Sequence, residues 1–401
     1  MPKDTPILYD FDEIHFRKNT SSLKWNPDVY SQRFHGHIDL LPLWVADMDF
    51  KVSHAIIERL QRLTVDGIFG YSAFDDEYYE AILSWENRRH GLCIDKEHIC
   101  NVPSVVPALS FIVQATTREG DAVIIQPPVY PPFHSIVSEN NRTLVTSPLI
   151  ERSPGYFVMD YEDFEMKVQK NKVRLFLLCN PHNPGGRVWT KDELEKIVDI
   201  CARHDVLIVA DEIHCDLSFF NHPYTSLLSL APQVAQNCIV CKSASKTFNL
   251  AGSNLAHLVI QNEHWRQRVE GFTKRNSLNT FNIFAPEMVK GAYLESDDWY
   301  DQMRVYIEEN IRFSASYINE HIPKLSMLEQ ESTYLGFIDA RGLNLSPREL
   351  ESLCEEKAKV ALNYGHWFGQ GGEGFLRMNL ACPQSLIKEG LDRLQNAITA
   401  G

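Results

Sequence analysis

Positive charge is the first thing this chain lacks. Lys and Arg number 39 against 53 Asp and Glu over 401 residues, a formal net charge of −14. That balance argues against nucleic acid as the main partner, because phosphate binding needs a basic footprint. A small-molecule substrate fits better. Long apolar runs are missing too: no stretch approaches the roughly 18 apolar residues of a membrane span. The start, Met1-Pro2-Lys3-Asp4-Thr5-Pro6, has no apolar h-region, so the expected location is cytoplasmic. Cysteine is sparse at nine residues, and most of these sit in apolar runs, as reduced core cysteines do. Cys238-Ile-Val-Cys241 spells C-x-x-C. Side chains three apart on a strand point to opposite faces, however, and no second C-x-x-C completes a zinc site, so no metal is expected.

What is present suffices for a large core, since 44% of the residues are hydrophobic, and the length predicts two or three domains. Residues 1–50 read as irregular and end in Leu41-Pro-Leu-Trp44-Val-Ala46-Asp-Met-Asp-Phe50. Ser53 to Leu63 reads as a helix with Ser53 as its N-cap, Ile56, Ile57, Leu60 and Leu63 sharing one face. A second helix is predicted from about Glu77 to Arg89. Between them Gly67-Ile-Phe-Gly70-Tyr71-Ser72 breaks the pattern, and its tyrosine, taken alone, is as readily a packing residue as a site residue. From Pro103 onward short apolar runs alternate with amphipathic helices. The runs are Asp121 to Gln126, Val173 to Cys179, Val206 to Ala210, Cys238 to Cys241 and Leu255 to Ile260. One helix opens with the capping box Thr190-Lys-Asp-Glu193 and carries Leu194, Ile197, Val198 and Cys201 as one stripe. Such wiring predicts an α/β fold, with a mostly parallel central sheet covered by helices and ligands bound at the carboxyl ends of its strands.

Three runs end there in polar clusters. The first leads into Asn180-Pro-His-Asn183-Pro-Gly-Gly186, a rigid turn presenting one amide. The second leads into Asp211-Glu212-Ile213-His214. A carboxylate at the end of a buried strand needs a partner, which a helix cap, an ion pair or a pyridinium N–H would each supply. The third leads into Ser243-Ala-Ser245-Lys246-Thr-Phe-Asn249. A lysine delivered near the interior is costly as an ammonium ion, and a depressed pKa or a covalent bond to a carbonyl relieves it. The hydroxyl and N–H groups beside it suit an anion, and pyridoxal phosphate has an aldehyde and a phosphate on one ring. Alone, Ser-x-Ser-Lys also reads as a surface lysine in a serine-rich loop.

In order and spacing, Asn180-Pro-x-Asn183-Pro-Gly-Gly, Asp211-Glu, Ser-x-Ser-Lys246-Thr-Phe-Asn and Arg377-x-Asn379 resemble the fold-type I, aspartate-aminotransferase-like superfamily of pyridoxal-phosphate enzymes over nearly the whole chain. Leu-Trp44-Val-Ala-Asp-Met-Asp-Phe50, Gly-Ile-Phe-Gly-Tyr71-Ser, Gly-Arg-Val-Trp189, Asp-Glu-Ile-His214-Cys-Asp216 and Phe-Leu-Arg377-Met-Asn-Leu-Ala-Cys382-Pro383 resemble its cystathionine β-lyase (C–S lyase) branch. The resemblance implies a large cofactor-binding domain over 51–290, a smaller α/β C-terminal domain over 291–401, and an N-terminal segment, 1–50, packed with the small domain. It implies that Lys246 holds the cofactor aldehyde, Asp211 pairs with the pyridine nitrogen and Asn183 donates to the phenolic oxygen. Tyr130, which would otherwise be part of a proline-rich turn, stacks on the ring, and His214 also lies at the cofactor. Ser104, Val105 and Val106 at a helix start, with Ser243 and Ser245, cradle the phosphate. Tyr71 reaches that phosphate from the second subunit of a homodimer and counts with Lys246 as catalytic. Ala46, Asn183 and Arg377 bind the substrate, Arg377 through a bidentate fork on the α-carboxylate.

Two departures accompany the resemblance. His214 stands where ordinary transaminases have a tyrosine. Asn254 stands where they usually have a phosphate-binding arginine, which lyase-like relatives commonly lack, and Lys242 is then the candidate for neutralising the phosphate. The implied reaction is β-elimination from cystathionine, cysteine or another S-substituted cysteine, giving a thiol (homocysteine or hydrogen sulfide), pyruvate and ammonia. An aminotransferase would use the same residues, and a regulatory or binding protein on the same fold is a third reading.

Overall fold

Strands that are buried along their whole length must be covered on both faces, and the centre of this protein is built from them. The computed structural model describes residues 7–278 and 280–400. The stretch Met1–Pro6, read above as lacking an apolar leader, lies outside the described residues. The central sheet has seven strands: β1 (Ile99–Val102), β2 (Ala122–Ile125), β3 (Thr143–Thr146), β4 (Leu175–Cys179), β5 (Leu207–Asp211), β6 (Cys238–Lys242) and β7 (Ala256–Val259). Their order is β1-β7-β6-β5-β4-β2-β3. Only β7 runs against its neighbours β6 and β1, and the other pairings are parallel. The sheet is therefore mostly parallel, as expected.

Alternation along β6 shows why both faces need cover. Cys238 and Val240 pack with Leu194, Ile197 and Cys201, while Ile239 and Cys241 pack with Ile112 and Val113 on the other side. The two cysteines of the C-x-x-C thus lie on opposite faces. Helix α1 (His54–Asp66) has Ser53 as its N-cap, α2 (Asp76–His90) follows it, and α3 (Val105–Thr116) comes after β1. Helix α4 (Lys191–Arg203) opens with the predicted capping box, in which Thr190 Oγ1 accepts from Glu193 N (3.2 Å) and Glu193 Oε2 accepts from Thr190 N (2.9 Å). Its buried aliphatic stripe contributes about 1.5–3 kcal/mol per large side chain.

Two strands carry no signal in the sequence, and one is legible there without its direction. Strand β1 has Asn101 inside a four-residue run, and β3 is a half-exposed edge strand; neither shows a continuous apolar pattern. The run around Leu255–Ile260 forms the antiparallel β7, because direction is set by the connection and not by composition. The first fifty residues are not wholly irregular either. Pro27–Tyr30 forms one helical turn, and Leu41–Pro42 pairs in parallel with Val360–Ala361.

After β6 come the single turn α5 (Ala244–Thr247) and the long helix α6 (Asp297–His321). A four-stranded antiparallel sheet then lies in the order Ser326–Met327, Leu335–Asp339, Phe375–Asn379, Asn363–Tyr364. Its register sets Arg377 between Phe337 and Asn363. The loop after β4 closes against this region at Gly186, whose φ is +63° and where a Cβ would lie 2.1 Å from Gln330 Nε2. Only glycine fits that turn.

Candidate active site

Register in the central sheet brings the three polar clusters together. Cys179 pairs with Asp211 and Asp211 with Cys241, so the ends of β4, β5 and β6 are level. Beside them is a cavity of about 180 Å³ lined by Ala46, Ser104, Val105, Val106, Tyr130, Asn183, Asp211, His214, Ser243, Ser245 and Lys246. Opposite them stands the segment 44–50, which is clamped from two directions. Asn249 accepts from Met48 N (3.0 Å) and donates to Met48 O (3.1 Å) and Phe50 O (2.9 Å). Asn379 donates to Val45 O and to Asp47 O (2.6 Å). The carbonyl held between them, Ala46 O, accepts from Lys246 Nζ (2.6 Å) and Tyr334 OH (3.0 Å).

Burial sets the electrostatics. It pushes the Lys246 ammonium down to about 8, with Asp47 and Asp211 opposing and Arg377 assisting. It pushes the Asp211 carboxyl up to about 7, against the Ile213 N–H (3.2 Å) and the Lys246 charge. It lowers His214 to about 3, aided by Lys246 and Arg377, so that ring is neutral. It lowers Arg377 to about 10, yet the guanidinium stays charged at neutral pH. The Arg377 fork donates to Asn183 Oδ1 (3.0 Å) and Asn363 Oδ1 (2.6 Å) and lies over the Phe368 ring at 4.9 Å. Because the cation claims the oxygen of Asn183, the amide nitrogen of that side chain is turned away from it.

The groups left unpaired test the fit to an aldehyde-and-phosphate cofactor. Among the described residues, the buried Asp211 carboxylate has the Ile213 N–H as its one hydrogen bond, and His214 Nδ1 and Arg377 Nε are buried without a partner. Ser104 caps α3 in position but makes no side-chain cap bond, and its hydroxyl and the first helical N–H groups have no partner among the described residues at the cavity. The set comprises an amine for an aldehyde, a protonatable acid for a ring nitrogen and helix-start donors for a phosphate. These residues fit the group.

All the expected site residues except Tyr71 and Arg377 line this one cavity, and Arg377 reaches it through Asn183. Tyr71 is fully exposed, on a loop with exposed Ile68 and Phe69. Ser243 Oγ gives its proton to Leu255 O (2.9 Å) and accepts from Ser245 N (3.1 Å), whereas the Ser245 hydroxyl has no partner among the described residues. Lys242 is a correction: its ammonium is buried in an ion pair with Glu86 (2.6 Å) and lies outside the cavity lining. Asn254, which does line the cavity, has φ +52°. Sequence reasoning missed Tyr334 and Asn363. Neither sits in a recognisable motif, and only the small sheet's register, Asn363 opposite Arg377, would have exposed the second.

The model of the family "Aminotransferase class I and II" matches residues 38–394. Cystathionine beta-lyase PatB of Bacillus subtilis (strain 168) is 39% identical, the match covering 97% of this chain and 100% of that protein. A PLP-bound candidate aminotransferase from Clostridium difficile 630 superposes with a TM-score of 0.95 at 43% identity, over 98% of this chain and all of that one. Cystalysin from Treponema denticola, whose structure contains pyridoxal 5′-phosphate, superposes with a TM-score of 0.94 at 34% identity, again over 98% of this chain and 100% of that one. Extending over nearly the whole chain and agreeing with the cavity's donor set, these similarities lead to one conclusion: the chain belongs to the aminotransferase class I and II family of pyridoxal-phosphate enzymes, on its cystathionine β-lyase branch.

Proposed function

We propose that this protein is a pyridoxal-phosphate-dependent C–S β-lyase that cleaves cystathionine, cysteine or related S-substituted cysteines to a thiol, pyruvate and ammonia. The observation that carries the reading is a half-buried lysine amine of lowered proton affinity, placed with a buried acid at one cavity that a guanidinium fork reaches through Asn183. Pyridoxal phosphate, when bound, supplies an aldehyde for the substrate amine and a ring that accepts the electron pair released at the α-carbon. Lys246 would hold the aldehyde end of the group, and its amine, when neutral, would remove the α-proton of the substrate. Asp211, the buried acid at the cavity, would hold the ring nitrogen and keep a proton there. Arg377, held flat by Asn183 and Asn363, fixes the α-carboxylate. With the α-carbon so held, the β-sulfur would leave with its electron pair as a thiolate that takes up a proton, and water would hydrolyse the released three-carbon enamine to pyruvate and ammonia.

An aminotransferase would share those steps up to the loss of sulfur, and a 43% identical solved structure is described in those terms. The two readings part on the need for a second substrate. Cystathionine should give pyruvate, with thiol in equal amount, in the absence of any added keto acid. Turnover that starts only when a keto acid is supplied would overturn the lyase.

A homodimer with shared sites is part of the same proposal. Exposed Ile68, Phe69 and Tyr71 on one loop form an apolar projection of the kind that interfaces cover. If Tyr71 completes the partner's site, mixing Tyr71→Phe chains with Lys246→Ala chains under exchange should regenerate activity above the sum of the two homodimers. In the mixed dimer one site carries both defects and the other neither. Exchange without any gain, or a fully active monomer, would sink the shared site. No helix among the described residues is long and apolar enough to cross a membrane, and all nine cysteines are unpaired, which supports the reducing cytoplasm as its location.

A further inference from the structure

Asp216 closes the Asp-Glu-Ile-His-Cys-Asp stretch but has no place in the cavity lining. It is 2% exposed. Donors converge on it from three other elements. From α2, Trp85 Nε1 (3.0 Å) and His90 Nε2 (2.8 Å) meet its Oδ1. From α5, Thr247 Oγ1 donates to Oδ2 (2.6 Å). From α6, Tyr300 OH donates to its main-chain carbonyl (2.7 Å). Burial would raise the carboxyl, but the His90 and Thr247 bonds and the Lys242 charge outweigh it and hold it at about 2. It is a buried anion at any working pH. Cys215 Sγ lies near enough to make a triad with His90 and Asp216, their atoms within 4.8 Å of one another. Lys242 Nζ is 3.9 Å from that sulfur, and both carboxylate oxygens already accept hydrogen bonds, so the cluster is a hydrogen-bond junction and not a cation site.

The junction ties two functional segments together. Thr247 follows Lys246 directly, and Asp216 lies on the exit of β5 just beyond Asp211 and His214. The turn α5 that carries Lys246 is four residues long, its end satisfied by Phe248 N on Ala244 O. A single turn fixes several dihedrals for very few hydrogen bonds and is unstable without tertiary anchors. The Thr247 hydroxyl is the anchor next to the lysine.

We propose that Asp216 is a positioning residue for the elimination: through the Thr247 hydroxyl it sets where the Lys246 amine stands relative to Asp211 and Arg377. This rests on Lys246 being the lysine that takes up the cofactor aldehyde, which borohydride trapping in the unaltered protein tests separately. Thr247→Val removes the hydroxyl and nearly keeps the shape. Thr247→Ser keeps the hydroxyl. In the holoenzyme Thr247→Val should lower kcat roughly 100-fold, the cost of about 1 Å of misplacement at a reacting group, with KM little changed. It should also move the pH midpoint of the bound chromophore's absorbance, a readout that loss of packing would leave alone. Lys242, Glu86, His90, Cys215, His257, Tyr293 and Tyr300 are the other titratable groups around Asp216, and they are the same in every variant.

Thr247→Ser should restore both kcat and the midpoint. Asp216→Asn should act in the same direction, and the Asp216→Asn, Thr247→Val double variant should match the worse single within about twofold, as for residues acting through one contact. Losses that multiply would overturn the proposal. So would a Thr247→Val protein of lower melting temperature but unaltered kcat and chromophore midpoint. If Asp216→Asn fails to fold, the Thr247 pair still decides.

Discussion

Lys246→Ala should lose the absorbance of the bound chromophore, the covalent link that borohydride makes permanent, and turnover by roughly 10⁴-fold, the upper range for a positioned acid–base group. The size of the effect follows from one side chain serving twice, first as the amine that takes up the aldehyde and then as the base at the α-carbon. Neither nearby lysine can substitute, because Lys242 is committed to Glu86 and Lys24 to Asp49. In the unaltered apoprotein, burial leaves the Lys246 amine at about 8. Only the neutral form attacks an aldehyde. The rate of cofactor uptake should therefore rise with pH and level off once pH 8 is passed, where an ordinary lysine would keep climbing toward 10.5. A Lys246→Ala protein that still eliminates thiol at the normal rate would remove the functional reading altogether.

How much of this site is legible in the chain depends on how its residues are delivered. Asn183, Asp211 and Lys246 each follow a continuous apolar run, and such runs become adjacent parallel strands whose ends meet. Their convergence is therefore readable. Lys242 shows the limit: it directly follows Cys241, but the pleat turns its side chain toward Glu86 on α2 and away from the cavity. Asn363 and Tyr334 come from the small antiparallel sheet, whose short strands carry little periodic signal and whose register no motif encodes. Ala46 is reached only by resemblance. Its position depends on Asn249 and Asn379, two amides that are distant in sequence and converge on one segment. Sequence shows what a strand end presents, and folding decides what is clamped across from it.

Asp211 should give two opposite results, depending on whether the cofactor is bound. In the holoenzyme, Asp211→Ala removes the acid that keeps charge at the ring nitrogen, where it stabilises the transition state. Losing such a group costs roughly 10²–10³ in kcat, and excess cofactor should not restore the rate. Full recovery with added cofactor would reduce Asp211 to a binding residue. In the apoprotein the same carboxylate is a burden. Its folded value of about 7 stands above the ordinary 3.8, so between those limits the folded state holds a proton that the unfolded state has shed, and stability falls as pH rises. At 1.36 kcal/mol per pKa unit, the penalty reaches roughly 4 kcal/mol above pH 7 and vanishes below pH 4. Apo Asp211→Asn, which keeps the shape and cannot ionise, should then unfold at higher denaturant than apo wild type at pH 8, and at about the same concentration at pH 4. A gap of equal size at both pH values would mean that packing, not the buried charge, separates the two proteins. The apoprotein is destabilised by the same charge that the bound ring nitrogen neutralises, so cofactor binding should raise stability most where Asp211 is ionised.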